Sequence, residues 1–181
     1  MDKESAVLSL TDTMAKFTAY IGKRLPKDVK EKTAKLRAAE TNPLAIAVYD
    51  SMADNQEYAD KLDRPSCQDT GVIQYFISAG ARFPLLSELE GILENATLEA
   101  TIKGPLRHNA VETFIEKNTG TNTGSKIPWL DWEIIPDADY ALIDVYMAGG
   151  GCTLPGSAKV LMPGQGYEGV TEFVFDVITS R

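Results

Sequence analysis

A chain of 181 residues with 44% hydrophobic and 24% charged side chains has the balance of an ordinary globular protein, which excludes a disordered chain and predicts one packed core. Its 26 acidic and 18 basic side chains leave a net charge of −8 with no basic stripe, so nucleic acid is excluded as a partner by overall repulsion. The same charge repels a dianionic small molecule, so a site for one must gather its own arginines, lysines or helix N-termini.

The first twenty residues place Asp2, Lys3, Glu4, Asp12 and Lys16 among apolar ones. They therefore lack the unbroken apolar run of a signal peptide or membrane span, and the chain reads as cytoplasmic. Val7, Leu10, Met14, Phe17 and Ile21 fall on one stripe at helical spacing and predict an amphipathic first helix. A second helix follows Pro26, with Val29, Thr33 and Leu36 on one face. Asn42 as N-cap and Pro43 in the first turn announce a third, whose inner face is expected to hold Ala45, Val48, Met52, Ala59 and Leu62.

The run Arg64 to Gly71 is polar and punctuated by Pro and Gly, and it hands over to an apolar strand, Val72 to Ile77. Pro84 opens a fourth helix with Leu85, Leu89, Ile92, Leu93, Ala96 and Ala100 inward, ending near Gly104 and Pro105. Leu106 to Lys117 is expected to be loop and then short helix, and Asn118 to Ser125, rich in turn formers, a surface loop. Trp129 to Ile135 and Tyr140 to Met147 read as two strands of a hairpin turned by Pro136 to Asp139. Gly149, Gly150 and Gly151 break the second strand, and Val170, Phe173, Val174, Val177 and Ile178 mark a last helix.

The fold class expected is α/β, a helix-rich N-terminus followed by a mixed β-sheet flanked by helices, in a single domain over residues 1–181. Because Ser180 and Arg181 follow directly on an apolar helix, the chain reads as interrupted, an N-terminal piece of something longer.

Two cysteines far apart are better read as reduced thiols than as a disulfide. Cys67 sits in a loop with Gln68, Asp69 and Thr70, where it is either a small buried hydrophobe or a thiolate metal ligand oriented by its polar neighbours. Three glycines after a strand let backbone N–H groups approach an anion, or let two backbones cross closely. His108 is the single histidine and no Gly-x-Ser-x-Gly elbow is present. Arg107 has the fork geometry to clamp a carboxylate, although a surface arginine needs no such role.

Five segments in order change those odds: Arg64-Pro65-Ser66-Cys67-Gln68-Asp69-Thr70-Gly71, Leu106-Arg107-His108-Asn109-Ala110-Val111, Asn118-Thr119-Gly120 with Asn122-Thr123-Gly124, Gly149 to Gly156, and Gly166-Tyr167-Glu168-Gly169-Val170. Together they resemble the class I fumarase / L(+)-tartrate dehydratase alpha subunit family of iron-sulfur hydro-lyases, over nearly the whole chain. The resemblance implies a 4Fe-4S cluster held by three cysteine thiolates, its fourth iron left to a small dicarboxylate substrate. Position by position, it makes Cys67 a cluster ligand, and Gln68, Asp69, Arg107, Gly149 and Gly150 substrate-binding, with Asp69 also the candidate catalytic base. Cys152 matches no ligand, and Cys152-Thr153-Leu154-Pro155-Gly156 inclines the resemblance toward the tartrate branch.

The other two ligand cysteines are expected beyond Arg181, and further acid-base groups on a beta subunit or C-terminal domain. The piece alone is then inactive. The activity implied is dehydration of L(+)-tartrate to oxaloacetate, with fumarate or mesaconate hydration as alternatives. Homo- or hetero-oligomers are expected, with neither nucleic acid nor membrane as partner. The non-enzymatic alternative is a split anion-binding or assembly module.

Overall fold

The computed structural model describes residues 2–112, 114–153 and 156–180, the side chains of Cys152 and Thr153 excepted. Two compact units divide it, residues 1–148 and 149–181. The α/β expectation is borne out. No helix among the described residues is long and apolar enough to cross a membrane.

The first unit opens with α1 (Lys3–Ile21), whose N-cap Asp2 accepts the Ser5 N–H. Its buried stripe is Thr11, Met14, Ala15, Thr18 and Ala19, while Phe17, expected inside, is 44% exposed. The reason is the partner, α4 (Leu89–Lys103), which approaches closely at its C-terminal end. A Cβ on Gly104 would come within 2.4 Å of the Ala19 Cβ, so small residues, not the largest ones, face the crossing. Threonine is tolerated there because its hydroxyl is satisfied: Thr11 donates to the Val7 carbonyl and Thr18 pairs with Tyr75.

Helices α2 (Lys27–Ala39) and α3 (Pro43–Leu62) form as the sequence predicts, with Asn42 accepting the Leu44 N–H as the α3 cap. Their faces do not go inside. No residue of α2 is buried, Ala59 alone is buried in α3, and Val48, Met52 and Leu62 are exposed. The two helices touch sparsely, through a bidentate ion pair from Arg37 to Asp50, and each carries its apolar stripe away from the core. The periodicity marked the helices correctly and, of the inner face expected on α3, Ala59 is buried while Val48, Met52 and Leu62 are not.

The sheet is three-stranded, with β1 (Val72–Gly80) in the middle, parallel to β4 (Trp129–Ile135) and antiparallel to β5 (Ala141–Ala148). Ile73, Tyr75, Ile77 and Ala79 of β1 turn to one face and are almost wholly buried against α1 and α4, beside Leu89, Leu93, Ala96 and Ala100. The expected hairpin of the last two strands is overturned, because β1 lies between them. Residues 136–140 instead cross the end of β1: Gly80 N–H donates to the Tyr140 carbonyl (2.8 Å), Ala81 to Ile135 (3.0 Å) and Arg82 to Ala138 (2.9 Å). A Cβ on Gly80 would lie 2.3 Å from the Ala138 oxygen, so the crossing requires glycine.

The short helix expected before Lys117 is also overturned. Among the described residues that segment holds β2 (Val111–Glu112), paired antiparallel with β3 (Lys117–Asn118). The second unit holds the four-residue helix α5 (Gly150–Thr153) and α6 (Gly166–Thr179), the last helix foreseen.

Candidate active-site cleft

Three segments of the first unit meet at the N-terminal end of β1. The Arg64–Gly71 loop leaves α3 after Asp63, which caps it in the left-handed conformation (φ 51°). Ser66 N–H donates to the Gly22 carbonyl (3.0 Å) and the Ser66 carbonyl accepts from Asn55 Nδ2 (2.6 Å), so the loop is pinned to α1 and α3 just before the cysteine. The Leu106–Ala110 segment leaves α4 with Leu106 buried in the core. The Asn118–Gly124 loop closes over that segment.

A cleft of about 590 Å³ lies between the first two, with Cys67, Gln68, Arg64, Arg107 and His108 in its walls. Cys67 is exposed, which rules out the buried-hydrophobe reading of its thiol. The Asp69 N–H points at its Sγ at 3.5 Å, so the sulfur is held by the loop's own backbone. Arg107 is exposed, and its Nε donates to the Gln68 carbonyl (3.2 Å), which draws the guanidinium to the cysteine loop. Among the described residues neither Arg64 nor Arg107 is held in an ion pair. A chain of net charge −8 therefore places two guanidinium groups around one thiol with no ion pair to either among the described residues. Such a wall can take an anion, and a carboxylate most directly.

Asp69 is half-buried, and its Oδ1 accepts from Gly71 N–H (2.9 Å) and Asn109 Nδ2 (2.7 Å). Thr70, buried, shares its hydroxyl between the Arg107 carbonyl and Asn109 Oδ1, both at 3.3 Å. The structure thus brings Cys67, Gln68, Asp69 and Arg107 together. Gly149 and Gly150 belong to the second unit, where Gly150 begins α5. Leu154 and Pro155, and the side chain of Cys152, lie outside the described residues.

Two asparagines were missed by sequence reasoning. Asn109 sits between loop and segment, and Asn122, expected on a surface loop, is 2% exposed and bonds both ways. The one available signal was the Asn-Thr-Gly repetition, since Asn is the residue that best combines a polar side chain with the left-handed backbone Asn122 adopts (φ 55°).

A family model described as fumarate hydratase (Fumerase) matches residues 11–181. Over 179 residues the chain is 57% identical to proteins named L(+)-tartrate dehydratase subunit alpha from Escherichia coli O157:H7 and from Escherichia coli strain K12, covering 99% of this chain and 59% of each relative. It is 27% identical over 177 residues to a putative L(+)-tartrate dehydratase subunit alpha from Methanocaldococcus jannaschii, covering 96% of this chain and 62% of that protein. The chain spans about three fifths of the length of the curated relatives it matches.

Proposed function

The chain belongs to the fumarate hydratase (Fumerase) family, and from that premise we propose that it is the cluster-binding part of a hydro-lyase alpha subunit that dehydrates L(+)-tartrate to oxaloacetate. The observation that carries the reading is an exposed thiol and an exposed arginine lining one cleft. The choice of tartrate rests on the name borne by relatives 57% identical over 179 residues. A beta subunit is the expected partner, since those relatives are named as alpha subunits.

The resemblance implies a 4Fe-4S cluster on three thiolates. Cys67 suits one ligand position, being exposed, pinned on its N-terminal side and approached by a backbone N–H. The sequence has two cysteines in all, and no group of three or more His, Cys, Asp or Glu among the described residues is placed to hold a metal. Among the described residues, Cys67 therefore fits one corner of the cluster. When bound, such a cluster supplies a Lewis acid for a leaving hydroxyl.

The remaining proposed roles belong to this chain's own side chains. Arg107 grips one substrate carboxylate bidentately and sets the distance of the neighbouring carbon from the loop. Asp69 accepts the Gly71 N–H and Asn109 Nδ2 on Oδ1, which orients the carboxylate proposed to take the proton from the carbon next to the substrate carboxylate. Gln68 is proposed as a further substrate contact, while the substrate-binding roles expected of Gly149 and Gly150 fall in the second unit.

The test is turnover by the full-length protein with its beta partner, kept free of oxygen, on L(+)-tartrate, fumarate and mesaconate. Oxaloacetate from tartrate is expected, together with loss of iron-sulfur absorbance in Cys67→Ser. Turnover of fumarate or mesaconate but not tartrate would replace the substrate. Diacid binding with no turnover would favour the assembly module.

A further inference from the structure

Asn122 is built into the cleft from behind. Its Oδ1 accepts the Asn109 N–H (2.8 Å) and the Ala110 N–H (3.2 Å), and its Nδ2 donates to the Arg107 carbonyl (2.7 Å) and to Thr101 Oγ1 on α4 (3.1 Å). Those four bonds use the whole capacity of a primary amide: two lone pairs and two hydrogens. The amide's orientation is fixed by them, because oxygen faces two donors and nitrogen faces a carbonyl and a hydroxyl.

The residue is nearly sealed from solvent, so every bond lost leaves a buried polar group without a partner. Asp supplies the acceptor but not the donors, Gln is one carbon too long, and Ala supplies neither and tolerates the φ of 55° poorly. From Asn122 the connection runs on through Asn109, whose Nδ2 holds Asp69 Oδ1 and whose Oδ1 faces Thr70. Arg107 and the cysteine loop, 37 to 40 residues apart in sequence, are thus tied to one rigid helix by one buried amide.

We propose that Asn122 is a positioning residue, which fixes the Arg107 backbone to α4 and, through Asn109, sets the guanidinium against the Cys67–Asp69 loop. The inference rests on the hydro-lyase reading for its functional readout. Asn122 touches neither thiol nor cleft and acts only through Arg107 and Asn109.

The experiment is a double-mutant cycle in the full-length, oxygen-protected enzyme with its beta partner. Asn122→Asp keeps the side-chain volume and the two accepted bonds and removes both donated ones. It should lower kcat/KM for the diacid by about tenfold or more, mainly through KM. In an Arg107→Lys background the same change should have an effect within about twofold, because the group it positions is already gone. Equal losses in both backgrounds, or no loss in either, would overturn the proposal.

Should the wild-type enzyme turn over none of the three diacids, the hydro-lyase reading fails by itself. Amide hydrogen exchange of the metal-free full-length protein then decides the positioning. Faster exchange at residues 67–71 in Asn122→Asp is the expected result, and unchanged exchange there sinks it.

Discussion

Tyr75 is fully buried at the centre of β1, with its hydroxyl between Thr18 Oγ1 (3.0 Å) and Thr97 Oγ1 (3.1 Å). Burial pushes its pKa above the ordinary tyrosine value, the two threonines opposing that shift only in part. A folded-state pKa raised above the unfolded one means stability that is whole below about pH 10 and is lost as pH rises through the folded value. Thermal melts should therefore fall on the alkaline side. Tyr75→Phe should lower stability by about 1 kcal/mol at neutral pH and flatten that alkaline decline. In the cleft, Arg107→Lys is expected to lower kcat/KM by about tenfold or more, since an ammonium cannot make the paired bonds of a guanidinium. Cys67, Asp69 and Arg107 could be nominated from the sequence because they stand in ordered motifs, and what the structure adds is that they lie near one another. Asn109 and Asn122 were not, because an asparagine among turn formers reads as solvated, and its burial depends on Thr101 and the Arg107 carbonyl, neither of which is a neighbour in sequence.

The same division holds for elements. Periodicity found α1, α3, α4 and α6, and composition found β1, β4 and β5, since each is encoded within its own residues. Which strands pair is not encoded locally. Pro136 to Asp139 carries good turn chemistry, but the competing contact is the apolar face of β1, which fills the place between β4 and β5. Gly80 records that outcome. Gly80→Ala would drive a methyl into the Ala138 carbonyl, where backbone cannot yield cheaply, and should destabilise by about 2–3 kcal/mol. The expected readout is a Tm lower by about 4–12 °C. An unchanged Tm would mean that residues 136–140 do not pass where they are described. On α3, by contrast, spacing alone predicted an inner face for Val48, Met52 and Leu62, which the tertiary arrangement leaves exposed.

At the scale of the first unit, one strand holds the arrangement together. The buried face of β1 packs on α1 and α4 and its two edges pair with β4 and β5, so removing the two sheet partners leaves both edges of a strand with one apolar face unpaired. A chain cut after Pro128 is expected to show no cooperative thermal transition where residues 1–148 are expected to show one, a comparison that circular dichroism decides. The cleft shares this dependence, because its cysteine loop runs straight into Val72, which pairs with Ala148. There is a temporal side to this. As the polypeptide emerges from the ribosome, β1 is made first and stays unmatched until roughly 50 more residues have been synthesised, at a few residues per second. Nascent chains of this protein thus pass through several seconds with both edges of that strand uncovered.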